Sequence, residues 1–243
     1  VSVTSTDESY ISWNWVANGG TTSANSDGSG ATLASQIQVN QTAGFSIVTY
    51  TGDATAGRKV AHGLSQAPEW LWIKGRSIGT GHLIYHHKNT AAPETDYLAL
   101  HTNDATYDAT FLNDTAPDAK CFTIGGTGQA TNNDDATYVA YCWHSVAGYS
   151  KFGYYQGNGE SYDGVFQYTG FRPALVIYKC SSVDNRNWRM MDSTRDTENR
   201  TGKQLFPNLS NAESDYTTGG VEYFSNGFKI RNNSAQYNTS VSY

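Results

Sequence analysis

The stretch Pro68-Glu-Trp-Leu-Trp-Ile-Lys74 returns as Pro173-Ala-Leu-Val-Ile-Tyr-Lys179, 105 residues further along. Both are short aromatic and β-branched runs opened by proline, the composition of a strand. Two flanking matches keep the same order. Gly44-Phe-Ser-Ile-Val-Thr-Tyr50 matches Gly148-Tyr-Ser-Lys-Phe-Gly-Tyr154 at 104 residues, and Phe122-Thr-Ile124 matches Phe228-Lys-Ile230 at 106. An offset that drifts one residue at a time is what loop insertions leave between duplicated units. A third string, Tyr10-Ile-Ser-Trp-Asn-Trp15, is echoed by Tyr138-Val-Ala-Tyr-Cys-Trp143 and more weakly by Tyr237-Asn-Thr-Ser-Val-Ser-Tyr243.

These matches predict an all-β chain. Residues 1–16 read as the last strand of an upstream unit and 17–41 as a polar linker. Two tandem β-sandwich repeats of jelly-roll or lectin-like type follow, 42–147 and 148–243. In the first string Ile11, Trp13 and Trp15 alternate with Tyr10, Ser12 and Asn14, the period of a strand with one apolar face. Further strands are expected over 82–86, 97–101, 121–124 and 138–143, with Asn, Asp, Gly and Ser clusters turning the chain between them. No window of helical length keeps a 3.6-residue period, so little helix is expected.

Composition narrows the function classes. The net charge is −6 and no five-residue basic run exists, which argues against a nucleic-acid ligand. No stretch approaches the roughly 20 apolar residues that cross a bilayer, so membrane insertion is not expected. Val1 opens without a charged-then-apolar leader, so no signal peptide is read. Cys121, Cys142 and Cys180 are odd in number and lack a C-x-x-C pair, which predicts buried free thiols rather than disulfides or a zinc site.

The motif strings carry a resemblance. Tyr10-Ile-Ser-Trp-Asn-Trp15, Ala43-Gly-Phe-Ser-Ile-Val-Thr-Tyr-Thr-Gly52, His62-Gly-Leu64, Asn113-Asp-Thr-Ala-Pro117, Tyr138-Val-Ala-Tyr-Cys-Trp143 and Tyr168-Thr-Gly-Phe-Arg-Pro173 resemble a family of marine bacteriophage tail and minor structural proteins. The resemblance spans Tyr10 to Ile230 and implies a non-enzymatic scaffold on a virion surface, in a tail fibre, appendage or decoration. Sibling chains and other virion proteins are the implied partners. The sequence departs from the family in its last strand, which ends at Tyr243 where the family has a longer aromatic one; incomplete first and last strands predict homo-oligomerisation through exposed edges.

Candidate sites are few. His82 and His86 stand four apart on an expected strand, roughly 13 Å, too far for a metal pair. Asp104, Asp108, Asp134 and Asp135 lack the spacing of a calcium loop, so no metal and no cofactor is expected. Asp192, Asp196 and Glu198 with Arg195 and Arg200 read as a solvated loop of mixed sign. No nucleophile elbow or phosphate loop is present, so no catalytic residue is assigned. Trp70, Trp72, Trp143 and Trp188 read as core. Tyr154, Tyr155 and Tyr162, in the glycine-rich stretch 153–164, are the expected contacts for a glycan, since a tyrosine ring offers an apolar face with a polar tip. A glycan-binding attachment module is therefore the alternative function, and a polysaccharide depolymerase using a carboxylate pair drawn from distant stretches of the chain a third.

Overall fold

The computed structural model describes residues 10–17, 20–23, 30–216, 219–232, 234 and 236–243. Its first strands are β1 (Thr21–Ser23), β2 (Ser35–Asn40), β3 (Phe45–Thr51), β4 (Arg58–Ala61), β5 (Trp70–Gly75) and β6 (His82–His86). After a short 3-10 turn come β7 (Asp96–Ala99), β8 (Tyr107–Asp108), β9 (Cys121–Ile124) and β10 (Thr137–Trp143). The second half holds β11 (Phe166–Tyr168), β12 (Leu175–Tyr178), β13 (Arg189–Asp192), β14 (Lys203–Gln204), β15 (Ser214–Asp215), β16 (Val221–Phe224) and β17 (Gly227–Ile230). The protein is all-β, and every strand pair is antiparallel.

The first half is dominated by one eight-stranded sheet in the order β1-β2-β3-β10-β5-β6-β7-β8. Strand β10 is its keystone, paired along its whole length with β3 on one side and with β5 on the other. Alternation decides the faces. Tyr138, Ala140 and Cys142 of β10 and Leu71 and Ile73 of β5 point inward, where Val60, Phe122 and Ile124 of the separate β4–β9 pair close the core. The three cysteines are free and buried, and burial pushes the Cys142 thiol up to about 12.

The outer face of the same sheet carries an aromatic stripe, with Trp72 and Tyr141 at 5.1 Å and Tyr141 and Trp143 at 6.2 Å. The second half packs on its far end. Trp188 is fully buried there, 5.9 Å from Trp70, and its indole N–H donates to the Ala99 carbonyl at 2.9 Å. Around it Ile84 and Leu98 form a small third cluster. The reading of Trp188 as core holds, while Trp70, Trp72 and Trp143 are only half-buried.

The hydrogen bonds of the first half recur in the second, 105 to 107 residues on. Asp96↔Asp108 in β7–β8 becomes Lys203↔Asp215 in β14–β15. Trp70↔His86 in β5–β6 becomes Leu175↔Asp192 in β12–β13. Ile84↔Leu98 becomes the isolated bridge Met190↔Leu205. Buried Asn132 accepts from the Asp53 N–H at 2.9 Å and donates to the Thr55 carbonyl at 2.8 Å; buried Asn238 does the same to Asn158 and Glu160, both at 3.0 Å. Tyr50 stacks on Tyr138 at 5.0 Å and Tyr155 on Tyr243 at 4.9 Å. The Tyr50 and Tyr155 hydroxyls donate to the carbonyls of Thr131 and Tyr237, each at 2.8 Å. Glycine is required at Gly52 and Gly157, where an added Cβ would meet the Asn133 carbonyl oxygen at 2.3 Å and that of Thr239 at 1.8 Å.

Three expectations change. Residues 10–17 take no strand, although their alternation reads as one; they sit beside the sheet, with Trp15 edge-on to Trp143 at 6.1 Å. The stretch 17–41 is not simply a linker, because β1 and β2 lie in it and Ile37 is buried in the core. The alternation Gln36-Ile-Gln-Val39 is a two-residue period hidden in a polar composition. Finally, the match of Tyr50 to Tyr154 is one residue out. Gly44 and Gly148 both keep positive φ at the 104-residue offset, but the buried, stacked counterpart of Tyr50 is Tyr155. The upstream-strand portion 1–9 lies outside the described residues.

Candidate functional site

A shallow, open polar groove lies on the second half. Its volume is about 450 Å³ and it is lined by Tyr162, Glu198, Asn199, Arg200, Glu222 and Arg231. It adjoins a second one of about 390 Å³ that shares Glu198 and Arg200 and adds Arg195, Asp196, Lys203, Asp215 and Tyr216. The elements that build it are the β13–β14 loop, the hairpin β16–β17 and the Tyr162 turn.

Each wall is fixed by the backbone around it. Asn199 bridges to Tyr223 in both directions, accepting its N–H at 2.8 Å and donating to its carbonyl at 2.9 Å, which ties the β13–β14 loop to β16. Arg231 donates its Nε to Glu222 at 2.5 Å and a terminal nitrogen to the Tyr162 carbonyl at 2.6 Å, which holds the tyrosine turn against the hairpin. Asp196 accepts from the backbone N–H groups of Gly202 at 2.9 Å and Lys203 at 3.2 Å. Behind the groove Arg195 bridges Asp192 and Glu213. Burial alone would raise the Asp192 carboxyl, but the Arg195 and Thr194 N–H groups and the Arg195 guanidinium outweigh it and hold the pKa below the usual carboxylate range. Asp192 is buried and Arg195 nearly so, and their ion pair is packed behind the groove, whereas Glu198 and Arg200 are exposed in the loop as the mixed sign of the cluster suggested.

The three expected glycan tyrosines part company. Tyr162 is 71% exposed and lines the groove. Tyr154 is also exposed but lies elsewhere. Tyr155 is 6% exposed, stacked on Tyr243 inside the second core, and cannot meet a ligand. The one-residue shift in the repeat explains the error: the tyrosine that continues the core pattern is Tyr155. Arg200, Glu222 and Arg231 were not singled out with Tyr162, because the four come from three distant stretches and no spacing links them.

Elsewhere, no group of three metal-ligating side chains is present among the described residues. His82 packs on Trp72 at 5.5 Å. His86 is pushed down to about 3 by burial and then by its neighbour His87, so it stays neutral in the sheet. The side chains of Asn199, Asn208, Asn232 and Asn238, each of which opens an Asn-x-Ser/Thr triplet, bond the backbone of a neighbour. No helix among the described residues is long and apolar enough to cross a membrane.

What these features define is an all-β protein whose contacts recur along the chain, with a charged, tyrosine-rimmed groove on its second half. The chain belongs to the family described as a domain of unknown function, DUF7483, whose model matches residues 2–243. No curated protein and no solved structure matches it.

Proposed function

We propose that the chain is a structural and interaction protein of a bacteriophage virion, built as two tandem β-sandwich repeats, 42–147 and 148–243. The observation that carries the architecture is the paired set of buried Asn132 and Asn238 clamps with their Tyr50–Tyr138 and Tyr155–Tyr243 stacks. Two independent loops would not converge on the same donors, acceptors and stacked rings at one offset. The virion setting rests on the motif strings quoted above, and a scaffold fits a chain whose polar groups are spent on internal clamps. Antibody against the chain should label purified particles of the phage that encodes it, at one position on each particle. Particles free of label, with the chain left in the lysate, would overturn the reading.

A second reading, glycan binding, is favoured by one observation: the exposed Tyr162 ring stands on the rim of a groove with Arg200, Arg231 and Glu198. A ring beside planar guanidinium groups suits a hydroxylated ligand that also carries carboxylates, such as an acidic polysaccharide. Binding to host acidic polysaccharide should weaken at least tenfold in Tyr162→Ala and be unchanged in Tyr154→Ala. Equal loss in both variants, or no binding by the parent chain, argues against the groove. Glu198 and Glu222 share this groove, so release of new reducing ends, lost in Glu198→Gln, would turn the reading to the depolymerase.

A further inference from the structure

All six histidines of the chain lie in the first half, between His62 and His144. Two of them are locked by the main chain. His62, fully buried after β4, takes the Leu64 N–H on its Nδ1 at 3.1 Å and gives its Nε2 proton to the Asp118 carbonyl at 3.0 Å. His86, at the end of β6, takes the Lys88 N–H on its Nδ1 at 3.0 Å, with Trp70 edge-on at 5.8 Å and His87 at 5.3 Å. A backbone N–H can only donate, so the nitrogen that accepts it carries no proton. Both rings are therefore neutral in the fold, and a proton arriving at Nδ1 must expel the N–H. His101 accepts the His82 N–H in the same way at 3.1 Å, but it is exposed and water can take over that bond.

Each lock sits where the first half is closed. His62 joins the exit of β4 to the entry of β9, its own N–H bonding the Lys120 carbonyl at 3.1 Å, and Leu64 beside it packs in the first core. His86 holds the end of β6 against Trp70, next to the Trp188 join. The surroundings do little to welcome a proton. Lys120, His144 and Asp118 face His62, and the Asp118 carboxylate is engaged by the Lys120 and Cys121 N–H groups at 2.7 and 2.8 Å. His87 and Lys88 face His86, while Glu69 stands 3.9 Å from His87. Burial lowers both rings from the ordinary value, that of His86 to about 3. An unfolded histidine titrates near 6.5. As the pH falls below that, the open chain takes protons that the folded one refuses, so the stability these rings contribute is full above about 6.5 and is lost toward acid.

We propose that the first half is a pH-operated latch: in mild acid the β4–β9 pair lifts off the eight-stranded sheet and the end of β6 loosens, baring Val60, Phe122 and Ile124, while the second half stays closed. The second half holds no histidine, the side chain whose ordinary charge change falls between pH 5 and 8. Mild acid therefore acts on one half and leaves the other.

The test is hydrogen exchange of the full chain, followed peptide by peptide at about pH 7 and about pH 5.5 and corrected for the intrinsic rate. Each ring should contribute about eightfold, so protection in β4, β6 and β9 should fall about seventyfold, and that in β12, β13, β16 and β17 less than about threefold. In the double variant His62→Asn with His86→Asn the side-chain oxygen stands in for Nδ1 as acceptor and never charges, and protection should be the same at both pH values. His86→Asn alone, which leaves the buried ring in place, should reduce the fall to about eightfold. A first half indifferent to pH, a second half that loosens equally, or a variant that keeps the parent's full response would overturn the proposal. Neither particle nor glycan enters this experiment, so the readings above stand or fall separately.

Discussion

The two halves carry the same clamps and differ in how their strands join. In the first, β10 joins β3 to β5 and five other strands follow into one sheet, with β4–β9 apart from it; in the second, β12–β13 and β14–β15 are separate pieces beside β11–β17–β16. Local polar clamps therefore set the course of each loop, whereas the keystone strand decides whether the pieces become a continuous sheet. That separation agrees with the physics of the two interactions. A buried asparagine satisfies groups a few residues apart in a loop and needs no neighbour strand. A ladder needs both sides, and each new strand buries the face of the last.

The comparison breaks most directly at the join. Trp188 is the large second-half side chain buried against the first sheet, so Trp188→Ala leaves a cavity at Trp70 and takes from the Ala99 carbonyl its shorter hydrogen bond, leaving that from the Thr102 N–H at 3.3 Å. Urea titration should show a loss of about 4 kcal/mol, and two transitions where the parent has one. Next come the clamps. Asn132→Ala strands the Asp53 N–H and Thr55 carbonyl and should cost about 3 kcal/mol. Asn238→Ala should cost about 2 kcal/mol, somewhat less, because Asn158 is exposed where Asp53 is half-buried, while Thr55 and Glu160 are both open to water. Equal losses would mean that the second half is as closed as the first.

How much of this was legible follows from which interactions leave a local trace. The paired strands Pro68–Lys74 and Pro173–Lys179 were readable because a β-branched, aromatic run after proline has few other fates. Buried free cysteines followed from number and spacing. Strand β2 was missed because Gln36 and Gln38 sit on its solvent face, so polarity masked Ile37 and Val39. Tyr155 was misplaced because one extra residue between Gly148 and Tyr155 shifts every later side chain to the opposite face. The segment Tyr10–Trp15 has the right alternation and still forms no strand, since pairing is a property of the neighbour. The groove was illegible for another reason: Arg231 meets Tyr162 through a bond to its carbonyl, and Arg200 joins them only because Asn199 ties its loop to Tyr223.

Two glycines sharpen the comparison more gently. Gly63 and Gly170 follow matched positions of β4 and β11 and hold φ of 75° and 87°. Alanine at Gly63 would meet Ile37 at 2.7 Å besides the backbone strain, whereas at Gly170 the nearest atom is Tyr168 at 3.6 Å. Gly63→Ala should lose about 2 kcal/mol and Gly170→Ala about 1 kcal/mol by thermal unfolding. The extra loss measures the packing of β2 against Gly63.

The smallest effect concerns Lys179, the counterpart of Lys74. Lys74 is half-buried, but Lys179 is closed in beside the first half and donates to the Cys180 carbonyl at 2.6 Å. Burial pulls its pKa down to about 8. An unfolded lysine titrates near 10.4, so between about pH 8 and 10.4 the unfolded chain holds more protons than the folded one and stability rises with pH. Below that window the folded protein carries a charge it would be more stable without. Lys179→Met should therefore gain about 1 kcal/mol at pH 7, and the gain should shrink as the pH rises from about 8 to 10.4. Lys74→Met should do neither. If both variants behave alike, the halves do not press on each other at Lys179, and the difference between them lies in how their strands pair.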